Sequence, residues 1–211
     1  MRNRFDSQLE KLGTQLIGMG ALCEQSIQTC YAALSDSDAE LAAQTIEADE
    51  WIDRKEREIE SMCLKLLLHQ QPVAKDLRFV SAALKMITDM ERIGDQAADI
   101  AEIVVSGAIG AGAAHDNIAG MARIAGEMVT ASIDAYVKKD VCMAERAMEK
   151  DDQVDALFVL VRTELIAAIE QRAQDAQQAL DMLMIAKYFE RIGDHAANIA
   201  QWVRFSLTGQ H

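Results

Sequence analysis

The sequence predicts an all-α fold: two tandem, pseudo-symmetric three-helix bundles with six long helices. Strong helix formers such as Leu, Ala, Met, Glu, Gln and Lys dominate the 211 residues, and there is only one proline. No segment alternates for long between apolar and polar residues, as a half-buried β-strand would. In addition, one ten-residue motif occurs twice, 99 residues apart. A duplicated helical unit accounts for all three observations.

The duplication can be aligned at two places. Segment 91–100, ERIGDQAADI, recurs at 190–199 as ERIGDHAANI, at an offset of 190 − 91 = 99. Segment 46–53 matches 148–155 more weakly, at 149 − 47 = 102. Two matches in the same order indicate a repeated unit. The offsets differ by three, so the first half has three extra residues, which we expect in the loop around 69–72.

Each half contains three long helical segments. Segment 35–38, Ser-Asp-Ser-Asp, supplies side-chain oxygens that can cap a helix, and Pro72 can begin a helix but not continue one. Long helices joined by short loops favour antiparallel neighbours in up-down bundles. We expect the two bundles to meet end to end. The helices are expected at 4–34, 38–69, 73–105, 116–138, 140–171 and 175–206.

A glycine-rich segment separates the halves. Segment 106–115, SGAIGAGAAH, holds three glycines within a few residues, which is typical of a link between folded units. The sequence therefore predicts a first three-helix repeat at 1–107 and a second at 113–211.

The net charge of −13 limits the expected partners. A nucleic-acid surface needs clustered Lys and Arg, and anionic lipid attracts basic segments, so we expect neither as a direct partner. The N-terminal residues contain no apolar signal-peptide core, and no apolar run approaches the roughly 18 residues of a membrane span. We therefore expect a cytoplasmic protein.

The four cysteines show no pattern of a disulfide framework or a zinc site. None forms a C-x-x-C pair, and no histidine stands at zinc-ligand spacing beside them. We interpret Cys23, Cys30, Cys63 and Cys142 as small buried apolar residues of a reducing compartment.

Acidic residues spaced by four form the most informative pattern. Residues four apart share one helix face, with Cβ atoms about 5–6 Å apart, so like charges at this spacing repel each other. Such a face is either solvated, or binds cations through the carboxylate oxygens that hard cations prefer, and the pattern leaves both interpretations open. The acids are Asp49, Asp53, Glu91, Asp95 and Asp99 in the first half and Asp151, Asp155, Glu190 and Asp194 in the second, where Asn198 takes the last position.

Other residues near these acids also have open roles. On a helical wheel the acids that follow Glu91 lie off the apolar stripe of their helix, where solvent can reach them. Gly94 and Gly193 indicate close approach of a neighbouring helix, although common ancestry of the halves would also place them there. For five further residues two roles are open: ion pairs and helix capping within the chain, or contacts with a partner. These residues are Lys75, Asp76, Arg78, Arg92 and Arg191.

At these residues the chain resembles the PhoU family. The resemblance rests on ERIGD in both halves, on Gln71-Pro72 followed by Asp76-Leu77-Arg78, and on the D-x-x-x-D motifs at 49–53 and 151–155. The order and spacing of these motifs fit along essentially the whole chain.

The resemblance implies a non-enzymatic regulator of phosphate uptake and of the phosphate-starvation response. Such proteins are two three-helix bundles, often homodimeric, that act beside the Pst phosphate ABC transporter and restrain the response when phosphate is plentiful. The implied partners are the transporter ATPase PstB and the sensor histidine kinase PhoR. The membrane would then be reached only through the transporter.

The resemblance also implies candidate metal ligands. Some members of the family carry iron, zinc or other divalent cations in multinuclear carboxylate clusters, and others are metal-free. Carried over to this chain, the ligands are the nine acids named above, whereas Asn198 would be a weaker ligand. The second half lacks the Q-P-x-x-x-D-L-R element, so we do not expect two equivalent faces.

Two other functions, an enzyme and an adaptor unrelated to phosphate, are the alternatives to this regulator. A carboxylate-bridged di-iron enzyme would use Glu-x-x-His pairs, but no histidine here has a glutamate three residues before it, and no G-x-x-x-x-G-K-[ST] loop is present. We therefore do not expect an enzyme. A helical adaptor without metal or a link to phosphate would share the fold, and only the identity of its partners would distinguish it.

Overall fold

The described residues form helices joined by short connections. The structure is a computed structural model that describes residues 2–70, 73–107, 109, 116–171 and 175–210. Within these ranges every regular element is helical, which confirms the all-α fold. The helices are α1 (Arg2–Asp36), α2 (Ala39–Gln70), α3 (Ala74–Val105), α4 (Asp116–Lys138), α5 (Val141–Met148), α6 (Asp151–Glu170) and α7 (Ala176–Thr208).

Five of the six expected helices begin and end within two residues of their expected positions, but the helix expected at 140–171 is broken. The Lys150 N–H bonds to the Ala147 carbonyl and the Gln153 N–H to the Lys150 carbonyl, both three residues back. This tighter pattern interrupts the α-helical ladder between α5 and α6. The prediction of one continuous helix is therefore wrong at this turn.

The same turn joins the first two helices of each half. Ser37 and Lys139 have φ angles of +51° and +56°, in the left-handed region. Asp38 and Asp140 follow them; Asp38 accepts two hydrogen bonds and Asp140 one, all at 3.0 Å, from backbone N–H groups in the first turn of the next helix. The expected N-cap at the end of segment 35–38 is thus confirmed. Both pairs are 102 residues apart, since 139 − 37 = 102, so the repeat includes this turn.

The extra residues of the first half lie in its helices. Between Asp49 and the end of α2 there are 70 − 49 = 21 residues, against 170 − 151 = 19 after Asp151 in α6. Helix α3 begins 91 − 74 = 17 residues before Glu91, and α7 begins 190 − 176 = 14 before Glu190. The connection 71–73 is shorter than the connection 171–175. The expectation of a longer loop is therefore wrong, although Gln71 and Pro72 themselves lie outside the described residues.

The two bundles pack side by side and not end to end, as shown first by α3 and α7. The Arg78 guanidinium carbon lies 3.7 Å from the position that a Cβ on Gly209 would take. Further along, Asp89 Oδ1 lies 3.0 Å from His195 Nδ1. Early residues of α3 therefore meet late residues of α7, which makes these helices antiparallel neighbours along their length.

Helices α1 and α4 form the matching second pair. A Cβ on Gly13 would lie 3.7 Å from Val137 Cγ2, and a Cβ on Gly20 would overlap the Ile133 side chain. These contacts again run antiparallel. Helices α1, α3, α4 and α7 thus form the centre of the molecule, flanked by α2 on one side and by α5 and α6 on the other.

Buried side chains of both bundles join into one continuous hydrophobic core. Tyr136 is fully buried, stacks on Phe79 with ring centroids 4.0 Å apart, and donates a hydrogen bond to the Phe79 carbonyl at 2.8 Å. None of the helices in the described ranges has the length and apolar content that a membrane span requires. Residues 108 and 110–115 of the expected link lie outside the described residues, and the domain boundaries stay predictions.

Three of the four cysteines are buried, as expected. Burial raises the pKa of the Cys23 and Cys63 thiols to about 12, so both stay protonated at neutral pH. The fourth, Cys142, is exposed on the short helix α5, so the expectation of burial is wrong there. Only Ala144 and Ala147 of α5 are buried, because one face of two turns is all that this helix packs against its neighbours.

Two glycines of α1 provide a test of the side-by-side packing. Gly20→Ala should lower the free energy of unfolding by about 1–2 kcal/mol, because overpacking against Ile133 outweighs the helix propensity gained. Gly18→Ala is the matched control: nothing lies within 4 Å of its Cβ position, so it should raise stability by up to about 1 kcal/mol. Urea unfolding measures both. Equal effects of the two substitutions would contradict the α1–α4 contact.

Candidate functional site

The acids of the first half gather where α2 approaches α3. Asp49 Oδ1 is buried and has no hydrogen-bond partner among the described residues. A Cβ on Gly94 would lie 2.5 Å from this oxygen, so only a glycine leaves room for the carboxylate. The close helix approach expected at Gly94 is confirmed, and its consequence is a buried carboxylate oxygen.

The second half repeats this arrangement between α6 and α7. Asp151 Oδ1 is buried and also lacks a hydrogen-bond partner among the described residues. It would lie 3.2 Å from a Cβ on Gly193, and Val154 would be equally close. The expected close approach at Gly193 is therefore confirmed as well. Two copies of one acidic cluster thus lie at equivalent positions of the two halves.

Electrostatics identify the neighbours within each cluster. Burial raises the pKa of the Asp49 carboxyl to about 6, and repulsion from Asp95, Asp53 and Asp99 adds to the rise. In the second half, burial raises the pKa of the Asp151 carboxyl to about 6. The further contributions there come from Asp194, Asp155, Asp152 and Glu190, in that order.

Of the remaining candidate ligands, some are half-buried and others are exposed. Burial, followed by repulsion from neighbouring acids, raises the pKa of the carboxyls of Glu91, Asp99 and Asp194. Asp155 and Asp194 are exposed, whereas the other seven candidate ligands are partly buried. The solvent access expected from the helical wheel is thus only partial, because each ladder faces a neighbouring helix.

Each cluster contains at least one basic side chain, and in the first cluster Arg57 also forms an ion pair with Asp53 at 3.6 Å. Arg92 Nη1 lies 2.8 Å from Asp95 Oδ2, and its Nε lies 3.3 Å from Glu91 Oε2. Lys187 forms the corresponding ion pair with Glu190. Glu91 Oε2 and Glu190 Oε2 therefore have an ionic neighbour, although neither makes a hydrogen bond of good geometry. The carboxylates of each cluster outnumber these basic side chains, so part of the mutual repulsion stays in place.

The donor set of both clusters consists of carboxylate oxygens, which suits hard cations. The buried, unpartnered oxygens of Asp49 and Asp151 fit a role as metal ligands. Among the described residues, however, no three side chains of His, Cys, Asp or Glu are arranged around a common metal position. The metal-ligand set therefore stays a prediction.

A contact between the bundles was missed by sequence reasoning. Asp89 Oδ1 on α3 lies 3.0 Å from His195 Nδ1 and accepts a hydrogen bond from Asn198 Nδ2 at 3.4 Å, both on α7. The sequence feature that could have indicated this contact is Asn198, which stands where the acid series of the first half has an aspartate. Asn198 belongs to this contact, whereas its counterpart Asp99 contributes to the acidic cluster.

The expected partner-contact residues lie in different surroundings. Lys75 is exposed in the first turn of α3, where Asp76 is partly buried. Arg78 lies against Gly209 at the C-terminus of α7, where a positive charge is favoured by the helix dipole. Arg92 is in the ion pairs described above. Arg191 is exposed, and its positive charge opposes in part the rise in the pKa of the Asp99 carboxyl that burial causes.

The raised pKa of Asp49 predicts a pH-dependent effect of Asp49→Asn. Because the pKa rises from 3.8 to about 6 on folding, the folded chain holds this proton more tightly, and stability falls as pH rises through that window. The variant should therefore be more stable than the wild type at neutral pH, by about 1 kcal/mol after screening by solvent. The gain should disappear near pH 4.

Urea unfolding at several pH values measures this gain, with Glu47→Gln, an exposed acid of the same helix, as the control. A gain that does not change with pH would show that repulsion at Asp49 is not its source.

Known proteins similar to this chain match nearly its whole length. Residues 16–104 and 118–203 each match the PhoU domain family. A protein of Clostridium acetobutylicum named phosphate-specific transport system accessory protein PhoU homolog is 34% identical, over 99% of this chain and 96% of its own length. A protein of the same name from Pseudomonas aeruginosa is 31% identical, over 98% of this chain and 86% of its own length.

Solved structures match the fold over the same extent. The crystal structure of PhoU from Pseudomonas aeruginosa has a TM-score of 0.91 at 30% identity, covering 98% of this chain and 100% of that chain. The phosphate transport system regulatory protein PhoU from Streptococcus pneumoniae has a TM-score of 0.90 at 27% identity, covering 98% of both chains. The family match to both halves and the relatives aligned over nearly their full length lead to one conclusion: the chain belongs to the PhoU family.

Proposed function

We propose that the chain is a non-enzymatic regulator of phosphate uptake and of the phosphate-starvation response. In this proposal it acts in the cytoplasm as a homodimeric adaptor between the Pst phosphate ABC transporter, through its ATPase PstB, and the sensor histidine kinase PhoR. One observation carries the proposal: relatives named accessory proteins of the phosphate-specific transport system align with nearly all of this chain.

The arrangement of the helices supports a role in docking. The four central helices form one continuous core across both bundles, so α2 on one side and α5 and α6 on the other are held at fixed positions relative to each other. A rigid body with two related but unequal faces can present one face to each of two partners. The faces differ because Lys187 and Asn198 replace Thr88 and Asp99 of the first half.

The acidic clusters support a further role for cations. The carboxylates of each site outnumber its basic side chains, and burial raises the pKa of Asp49 and Asp151. A bound iron, zinc or other divalent cation would neutralise this charge and hold α2 to α3, and α6 to α7. In the proposal the ligands come from Asp49, Asp53, Glu91, Asp95 and Asp99, and from Asp151, Asp155, Glu190 and Asp194.

The regulatory role can be tested by deleting the gene in cells grown with plentiful phosphate. Expression of phosphate-starvation genes should rise several-fold, because the restraint on the kinase is lost. A reporter fused to a starvation-induced promoter measures the rise, and expression of the wild-type chain should reverse it. Unchanged reporter activity would contradict the proposed function.

A pull-down from phosphate-replete cells separates this proposal from an adaptor without a link to phosphate. Recovery of the transporter ATPase and the sensor kinase, identified by mass spectrometry, supports the proposal. Recovery of only unrelated proteins favours the other adaptor.

The cation role can be tested by elemental analysis of protein purified without chelators. Asp95→Ala combined with Asp194→Ala should lower the bound metal, because it removes one ligand from each cluster. The matched control is Glu47→Ala combined with Glu145→Ala, which removes two exposed acids and should leave the metal content unchanged.

Added metal should also raise the melting temperature of the wild type more than that of the variant, since a ligand that binds only the folded state stabilises it. Wild-type protein without any bound metal and without a shift in melting temperature would rule out the cation role.

A further inference from the structure

A surface cavity of about 400 Å³ lies between α1 and α4, one helix from each half of the chain. Sites for small molecules have volumes of roughly 300–1,000 Å³ and often lie between domains. None of the nine candidate metal ligands lines this cavity, so it shares no residue with either acidic cluster. Its apolar walls include Ile27 and Tyr31 on α1 and Ala122 and Gly126 on α4.

The repeated packing of the two halves does not account for this cavity. The offset of 102 that relates the two capped turns also pairs Gly20 with Ala122 and Ile133 with Tyr31. Ile133 fills the space beside Gly20, where a Cβ would overlap it. At the equivalent place Tyr31 and Ala122 line the cavity. The chain therefore fills one of two equivalent contacts between α1 and α4 and leaves the other open.

Gly126 widens the cavity although the helix packing does not require a glycine there. It is buried in the interior of α4, where glycine is less favourable than alanine. Among the described residues of the neighbouring helices, the nearest atom to a Cβ at this position would be Glu24 Cγ, at 3.9 Å. An alanine would fit at this ordinary contact distance, in contrast to Gly20 and Gly94. The absent side chain thus keeps open a space that the fold itself does not use.

Glu24 places a carboxylate in the wall of this cavity. The side chain is partly buried, and two hydrogen bonds hold it in position. One oxygen accepts from Thr130 Oγ1 at 2.7 Å, and the other accepts from Gln28 Nε2 at 3.2 Å. Both donors are neutral, so these bonds orient the carboxylate without supplying a positive charge.

The second acid of the cavity, Glu127, already has positively charged partners. It forms ion pairs with Arg123 at 2.7 Å and with Lys150 at 2.6 Å. Neither of these bases forms an ion pair with Glu24, nor does any other base in the described ranges of the chain. The charge of Glu24 is therefore available to a bound molecule.

We propose that this cavity binds a small organic amine, whose cationic group pairs with Glu24 and whose apolar body fills the space beside Gly126. An ammonium group at an oriented carboxylate forms a charge-assisted hydrogen bond, and the apolar walls remove the rest of the molecule from water. Because α1 and α4 belong to different halves, the amine stabilises the contact between the two bundles. The site goes beyond the proposed function and requires neither the metal clusters nor the phosphate partners.

The test uses hexylammonium as the probe, with hexanol and hexanoate as its neutral and anionic counterparts. Titrations followed by the methyl NMR signals of Ile27 and Ala122 should give a Kd of about 1 mM or lower for hexylammonium. The two counterparts should bind about tenfold more weakly or not at all. Glu24→Gln should remove the preference for hexylammonium over hexanol, since it removes the charge and keeps the shape.

Two glycine substitutions test the location of the site. Gly126→Leu should fill the cavity and abolish binding of hexylammonium while the helical circular dichroism stays unchanged. Gly18→Leu is the matched control: Gly18 is exposed on α1 with open space around it, so this variant should bind as the wild type does.

Three results would overturn the assignment of an amine site to this cavity. The first is a wild type that does not bind hexylammonium, and the second is a preference for hexanoate over hexylammonium. The third is a Glu24→Gln variant that keeps the wild-type preference for the amine. This last measurement does not depend on Gly126→Leu, so the proposal can be refuted even if that variant fails to fold.

Discussion

The close approach of paired helices at two glycines is the constraint on which the acidic site depends. At Gly94 and Gly193 the neighbouring helix comes so near that its aspartate carboxylate lies where a Cβ would be, or just beside it. This approach takes one oxygen of Asp49 and of Asp151 out of solvent without giving it a hydrogen-bond partner in the described part of the chain. Desolvation and repulsion then raise the pKa of both carboxyls, so a single contact between helices determines the geometry and the charge of each cluster.

Duplication preserved this contact while other features diverged. The capped turns at Asp38 and Asp140 are the same in both halves, and so are the paired glycines, which the close approach of the helices requires. Positions with no role in that contact were free to change. In the second half Asn198 stands where the first half has an aspartate. Asn198 donates a hydrogen bond to Asp89 across the α3–α7 interface, so this position contributes a contact between the bundles and not a third acid.

The sequence predicted the local structure well because local signals determine it. Helical periodicity and the N-cap at Asp38 gave the helix ends, and the spacing of the acids gave the two clusters. The break between α5 and α6 could not be predicted, since Glu149 and Lys150 are good helix formers and keep right-handed helical dihedral angles.

The packing of helices far apart in the chain could not be predicted from the sequence either. The contact of Gly20 with Ile133 joins residues 133 − 20 = 113 positions apart, and periodicity within one helix does not reveal which helix will cover it. The same limit applies within the site: the spacing of the acids indicates a shared face, but only the packing of α2 on α3 shows that Asp49 is the most desolvated of them. Exposure of Cys142 follows likewise from the small contact area of α5.

Helix α6 shows why a helix that is apolar over most of its surface cannot be placed from its sequence alone. Such a helix resembles one that is buried on all sides, so the exposure of Val159, Leu160 and Ile166 became recognisable only when three other residues of α6 proved to be buried in the bundle. The same holds for its acids: Asp151 lies close to Gly193 of α7, whereas Asp155, one turn further along, is exposed. The position of α6 in the bundle therefore determines which of its apolar and acidic residues meet solvent.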